Sequence, residues 1–171
     1  MLLTARRVLS ALAIASTPGC SATPTPAAST PVPNAPLPRT FSAVAEDIVV
    51  RTNAERRVQA LSSLARNAQL MQAAQIQADQ MAAARTMAHD LPGAPYSTPS
   101  SRLAAVGYQM SATGENVAEG YPSAAAVVAG WMTSPGHRAN ILGAQFTEMG
   151  AGEATSSAGR HFYAQVFGRP R

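Results

Sequence analysis

No lysine occurs in this chain, so all 13 basic residues are arginines. Cysteine is almost as scarce: Cys20 stands alone, which rules out a disulfide within the chain. An exported protein of this composition must hold its fold by packing. Aromatic residues make up 5% of the chain while alanine is abundant. The core is therefore expected to consist of small aliphatic side chains and methionines, close-packed and sensitive to changes in volume.

Other absences narrow the chemistry. There is no Gly-x-Ser-x-Gly turn and the lone cysteine lies outside the expected domain, so nucleophilic catalysis lacks its usual residues. Gly150-Ala151-Gly152 falls in an expected strand and lacks both the third glycine and the following helix of a phosphate cradle. No HExxH or comparable short metal motif is present. The formal charge of +4 includes Arg6 and Arg7 of an expected export segment; without them 11 basic residues face 9 acidic ones. Between His89 and Glu153, Asp90, Glu115, Glu119, Glu148 and Glu153 outnumber Arg102 and Arg138. No arginine run carries interleaved aromatics, and nucleic-acid binding is set aside.

What is present divides the chain in three. Residues 1–20 read as an export signal: Arg6 and Arg7 precede the apolar stretch Val8 to Ala15, which is too short to span a bilayer. Thr17-Pro18-Gly19-Cys20 resembles a bacterial lipoprotein cleavage box, though leucine is usual three residues before the cysteine. Lipidation of Cys20 and ordinary cleavage nearby, for example after Ala22, both stay open. Residues 21–39 carry Pro24, Pro26, Pro31, Pro33, Pro36 and Pro38 among small polar residues, which makes an extended tether of roughly 3 Å per residue. A leader without a task is the alternative. Residues 40–171 have room for one core.

Within that domain, Phe41, Val44, Ile48 and Val49 recur at helical spacing and predict a first helix to about Arg57. Asn67 is placed to cap a second helix, with Leu70, Ala73, Ala74, Gln77, Ala78 and Met81 on one face and an end near Met87. Pro92 to Ser101 reads as a loop, followed by a short helix from Arg102 to Val106. Pro122 is expected in the first turn of a helix reaching Trp131 or Met132, and Ser134-Pro135 as cap and first residue of the next. Phe146 to Ala154 and His161 to Phe167 read as strands joined by a hairpin around Gly159, with Tyr163, Gln165 and Phe167 on one face. Helices come first and antiparallel strands last, so the fold class expected is α+β.

Three chemistry-bearing residues stand out. His89 opens the loop after the second helix, Glu115 lies in extended chain, and His137 falls in the first turn of its helix. Two imidazoles and a carboxylate suit a divalent ion such as zinc with positions left for water. Each also has a bland explanation. Glu115 can pin a loop through backbone N–H groups, His137 can orient a cap, and Asn116 can bond the backbone. His161, on a strand, reads as an exposed or packing residue, and Trp131 as a core anchor.

Taken in order, these segments resemble the CAP superfamily, also called the SCP domain, in its bacterial form. The resemblance runs through Asn53-Ala54-Glu55-Arg56, Ala73 to Met81, Thr86-Met87-Ala88-His89, and Arg102 to Tyr108. It continues through Gly114-Glu115-Asn116-Val117-Ala118, Trp131 to Leu142, Phe146 to Gly152, and Tyr163 to Gly168. It implies an α-β-α sandwich with helices flanking a small antiparallel sheet, and a cleft holding His89, Glu115 and His137. It also implies a zinc or other divalent ion on the two histidines in some members. The second glutamate of the animal and plant pattern is missing: Met132-Thr133-Ser134 stands there.

The function expected is that of a secreted or surface-anchored binding module, in the extracellular space or cell envelope. Its cleft would hold a small molecule, a lipid or envelope component, a metal ion or a partner segment, and any membrane contact would run through a lipid on Cys20. The competing expectation is a metal-assisted, peptidase-like hydrolase in which Glu115 acts as general base on a water held by His89 and His137.

Overall fold

The expected first helix forms as α1, Ala43–Val58, in a computed structural model that describes residues 40–171. The expected export signal, Cys20 and the proline-rich tether lie outside the described residues. Ser42 caps α1 by accepting a hydrogen bond from the Ala45 N–H, and Ala45, Ile48, Val49 and Thr52 turn inward on one face. The second helix, α2 (Ala68–Ala84), begins as its cap requires: Asn67 Oδ1 accepts from the N–H groups of Gln69 and Leu70. All six residues expected on its inner face are buried. It ends at Ala84, earlier than expected, because Arg85 takes a left-handed conformation (φ 52°) and the Thr86 N–H closes on the Met81 carbonyl.

Two helix starts differ from expectation for the same reason. The third helix, α3, spans Pro99–Ala105 and so begins inside the segment expected to be loop. Thr98 and Ser101 bond reciprocally in a capping box, with Pro99 in the first turn, so a Pro/Ser-rich stretch nucleates a helix here. In α4 (Ala124–Thr133) the cap is Ser123, and Pro122 precedes the helix rather than entering it. In α5 (Pro135–Ile141), Pro135 takes the first turn as expected, but the Ser134 side chain makes no capping bond.

The sheet has the order β1-β3-β4-β2, with β1 Ala65–Arg66, β2 Met110–Glu119, β3 Glu148–Thr155 and β4 His161–Pro170. The β3–β4 hairpin and the β2–β4 pairing are antiparallel, while the two-residue β1 runs parallel to β3. Strand β1 lies between the first helix and the Asn67 cap, in a stretch to which the sequence assigns no element. Helices α2 and α3 cover one face of the sheet, and α1, α4 and α5 cover the other, which gives the three-layer sandwich. Alternation along β4 divides the core between the two faces. Tyr163 and Phe167 pack with α1, α4 and α5, whereas Phe162, Ala164 and Val166 pack with α2 and α3. Gln165 shares the first face and is fully buried. Its amide donates to Thr52 and its carbonyl oxygen accepts from Asn116, whose own oxygen accepts from Asn140. This buried polar chain fixes α1, strands β4 and β2, and α5 in register, and that register carries the site.

Candidate functional site

Strand β2 is the free edge of the sheet, and its alternation sends neighbouring side chains to opposite layers. Asn116 faces the α1/α4/α5 layer, and Glu115 faces α3. The Glu115 side chain is 6% exposed, so its charge requires a partner. That partner is Arg102 of α3, itself 1% exposed. Arg102 Nη2 lies 3.2 and 3.0 Å from the two Glu115 oxygens and also donates to the His89 carbonyl at 2.9 Å. Its Nη1 donates to the Tyr96 carbonyl at 3.1 Å. One guanidinium thus clamps the loop after α2 onto β2. Glu115 pins that loop through a guanidinium and an imidazole, not through the backbone N–H groups considered from the sequence.

Sequence reasoning passed over Arg102 as a functional residue. A signal was available: between Asp90 and Glu115 it is the only charged residue, set in the apolar run Leu103-Ala104-Ala105-Val106. A lone cation on an inward-facing short helix needs a buried acceptor, and Glu115 is the next acid along the chain.

His89 is half-exposed, and its Nδ1 lies 2.9 Å from Glu115 Oε1. Because an ionised carboxylate only accepts, Nδ1 carries the hydrogen and Nε2 is left for other partners. Gln77 of α2 also donates to the Ala88 carbonyl, which holds the backbone just before the ring. The hydrogen bond to Glu115 raises the His89 pKa, outweighing the opposing effect of burial. His137 enters from the other layer. Its carbonyl accepts from Asn116 Nδ2 at 3.1 Å, and Asn140, one turn on, donates to the Glu115 carbonyl at 3.1 Å. Asn116 is therefore a buried strand residue whose bonds hold α5 against β2, with both backbone and side-chain partners. Burial first, and the nearby His89 charge second, push the His137 pKa down. The structure thus bonds His89 to Glu115 directly and places His137 across the β2 edge, close enough to feel the His89 charge.

Two cavities flank this edge. The first, about 290 Å³, is lined by His89, Arg102 and Glu115 at a polar end and by Ala73, Pro99, Leu103 and Val166 along its body. The second, about 420 Å³, includes His137, Met87, Glu119, Tyr121 and Trp131 among its walls. Trp131 is 2% exposed with its indole N–H on the Val117 carbonyl, so it anchors the core as expected. His161 pairs with Glu153 at 3.0 Å across the β3–β4 hairpin.

The donor set can be tested against a divalent ion. Both Glu115 oxygens are engaged by Arg102, and Oε1 also takes the His89 hydrogen, so the carboxylate is committed to positioning. What remains for a metal is His89 Nε2, oriented through its carboxylate, and the neutral imidazole of His137. Among the described residues no group of three or more His, Cys, Asp or Glu side chains is placed to hold an ion. Two imidazoles fall short of the three protein ligands of a catalytic zinc centre.

The two histidines should titrate in opposite directions from the ordinary value of 6.5. The raised His89 pKa means its stabilising contribution is complete below 6.5 and fades as pH climbs through the folded value. For His137 the folded value is lowered, so stability falls as pH drops through the window between the unfolded and folded values. The two windows lie on either side of 6.5 and global unfolding reports only their sum, so the check is an NMR titration of each imidazole. His89→Gln should move the His137 midpoint upward by removing a neighbouring positive charge. Equal midpoints in the wild type would contradict this geometry.

Comparison with known proteins extends the same pattern. Residues 49–167 match the family model described as CAP, the cysteine-rich secretory protein family. The uncharacterized protein YkwD of Bacillus subtilis (strain 168) is 34% identical over 121 residues, covering 71% of this chain and 46% of that protein. An extracellular protein containing a SCP domain from Bacillus anthracis str. Ames is 30% identical, with a TM-score of 0.65 over 73% of this chain and 40% of its own. The chain therefore spans less than half the length of these two relatives. An outer surface protein from Borrelia burgdorferi, 21% identical, shares the fold, with a TM-score of 0.67 over 77% of this chain and 98% of its own.

Proposed function

The chain belongs to the CAP family of cysteine-rich secretory proteins, and on that footing we propose that its domain is a binding module rather than an enzyme. The module works outside the cytoplasm, either free or at the cell envelope, as the relatives described as extracellular or outer-surface proteins do. No helix among the described residues is long and apolar enough to cross a membrane.

One observation carries the binding reading. The cavity of about 290 Å³ has an apolar body from Ala73, Pro99, Leu103 and Val166 and a charge-balanced head formed by Arg102, Glu115 and His89. An apolar pocket with few convergent polar groups is the usual form of a small-molecule site, and this volume lies at the small end of that range. The ligand class it supports is a small, mostly apolar molecule with a neutral hydrogen-bonding head. The Arg102–Glu115 pair already cancels its own charge, so an ionic head would gain little. Substituting Ala73→Leu, at a position 1% exposed on α2, should fill the cavity and abolish uptake of an amphipathic fluorescent probe while the domain stays folded. Undiminished uptake in that variant would place the ligand elsewhere.

The hydrolase alternative is not favoured. It requires the Glu115 carboxylate to face a water, whereas both oxygens are held by Arg102. A divalent ion remains part of the proposal only as a weak guest of His89 and His137. Calorimetric titration with zinc should therefore show weak binding that disappears in both His89→Ala and His137→Ala. Binding unchanged in both variants would remove the metal from the proposal.

A further inference from the structure

The domain buries two arginines, Arg102 and Arg56, and treats them differently. Arg102 has Glu115; Arg56, 3% exposed on the inner face of α1, forms no ion pair among the described residues. Three of its bonds go to backbone carbonyls. Nε donates to Ser62 at 2.9 Å, and Nη1 donates to Ile141 at 2.7 Å and Gly143 at 3.0 Å. These bonds give Arg56 a structural task, since Ile141 and Gly143 lie at the C-terminal end of α5 where orphan carbonyls favour a cation. They account for Nε and both hydrogens of Nη1. Nη2 donates to no protein atom among the described residues.

The cavity that Arg56 lines has the composition of an anion site. Arg56 lines a cavity of about 260 Å³ together with Ser62, Ser63, Thr147, Ala144, Leu61 and Phe146. None of these is acidic. The hydroxyls of Ser62, Ser63 and Thr147 make no side-chain hydrogen bonds among the described residues, and all three residues are exposed at the rim. Burial alone pushes the Arg56 guanidinium below its usual range, as expected of a cation surrounded by carbonyl dipoles and no formal counter-charge.

We infer that this cavity, between the α1–β1 loop and the segment preceding β3, is a binding site for a tetrahedral oxyanion such as a phosphate group. The two free hydrogens of Nη2 bind one oxygen from the floor, and the rim hydroxyls donate to the others. A carboxylate has too few oxygens to use donors spread in this way, whereas a phosphate offers three or four. The charge-assisted bond on a desolvated guanidinium supplies the affinity. The site is separate from the Arg102–Glu115–His89 cavity, so it stands or falls independently of the ligand proposed there.

The test titrates inorganic phosphate into the full chain and follows backbone amides and the Arg56 Nε–H by NMR. Saturable shifts at Ser62, Ser63, Thr147 and Arg56 are expected. Arg56 variants could unfold through loss of the three carbonyl bonds, so the decisive substitutions are Thr147→Asp and Ser63→Asp. Each sets a carboxylate at the rim as an internal counter-ion and should weaken phosphate binding about tenfold or more, with Tm unchanged or raised. Absence of saturable shifts, or an affinity in both variants equal to that of the wild type, overturns the inference. Glycerol phosphate and phosphatidylglycerol vesicles, run in parallel, distinguish a soluble or polymer-borne phosphate ester from a lipid headgroup.

Discussion

Gly150→Ala is expected to destabilise the domain by at least about 3 kcal/mol, through overpacking that no side-chain motion can relieve. A β-carbon at Gly150 would lie 2.1 Å from the backbone carbonyl carbon of Leu70 and 2.1 Å from the amide nitrogen of Met71. Ordinary contact begins at 3.4 Å, so α2 would have to retreat from the sheet by more than an ångström. That retreat would loosen the layer holding Leu70, Ala73, Ala74 and Met81 against Phe162, Ala164 and Val166. Gly152, two residues along β3, meets Ala74 and Gln75, one turn along α2, at 2.5 Å. The two glycines form a bare stripe on which the helix backbone rests, so Gly152→Ala should be nearly as costly. Gly136→Ala is the control. It has nothing within 4 Å and should change stability by no more than about 0.5 kcal/mol. Chemical denaturation of the three variants checks the ordering. A Gly150→Ala midpoint equal to that of wild type would mean that helix and sheet are not in such contact.

Arg102→Met should cost about 3–5 kcal/mol, because it strands the Glu115 carboxylate in a buried position. The guanidinium also carries the loop bonds to His89 and Tyr96, so amide exchange from Leu91 to Ser97 should accelerate in the same variant. Glu115→Gln alone should be milder, since a neutral amide can still accept from Arg102. Combining Arg102→Met with Glu115→Gln should recover part of the loss, because the stranded charge is gone. A double variant as unstable as the sum of the singles would show that the pair is not coupled and that the clamp on the loop is the whole effect. His89 gives a second readout. In Glu115→Gln its titration midpoint should fall toward or below 6.5, because the hydrogen bond to the carboxylate is what raises it.

Much of the scaffold around these residues could be read from local patterns. The Asn67 cap and the face from Leu70 to Met81 describe α2 without help from the rest of the chain. The alternation of Tyr163, Gln165 and Phe167 places one face of β4, and the turn before His161 closes the hairpin around Gly159 at φ 78°. Errors fell where the local signal was shared between two outcomes. Thr98-Pro99-Ser100-Ser101 has the composition of a loop, and it became a helix because its first residues cap one another. Arg85 ended α2 in a left-handed conformation that neither glycine nor asparagine marked. Strand β1 is two residues long and owes its form to β3, so no periodicity could disclose it.

The candidate residues divide along the same line. His89, Glu115 and His137 were identified by residue type and family resemblance, and their elements came out as expected. Their relations did not follow from the chain order. That Glu115 is spent on Arg102, that His89 leans on the same carboxylate, and that His137 approaches from the opposite layer all depend on how α3 and α5 pack around β2. The role of Gly150-Ala151-Gly152 is another such case, legible as "not a phosphate loop" but recognisable as a helix rest only once α2 lies on it.

Hydrophobic spacing, caps and turns act over a few residues, so the sequence alone determined the helices, the hairpin, the faces they bury and the family to which the chain belongs. Charge pairing and close backbone approach act between residues distant in the chain. Only the folded arrangement therefore decided which acid neutralises which arginine, which buried arginine has no acid beside it among the described residues, and where two bare glycines let a helix touch a sheet.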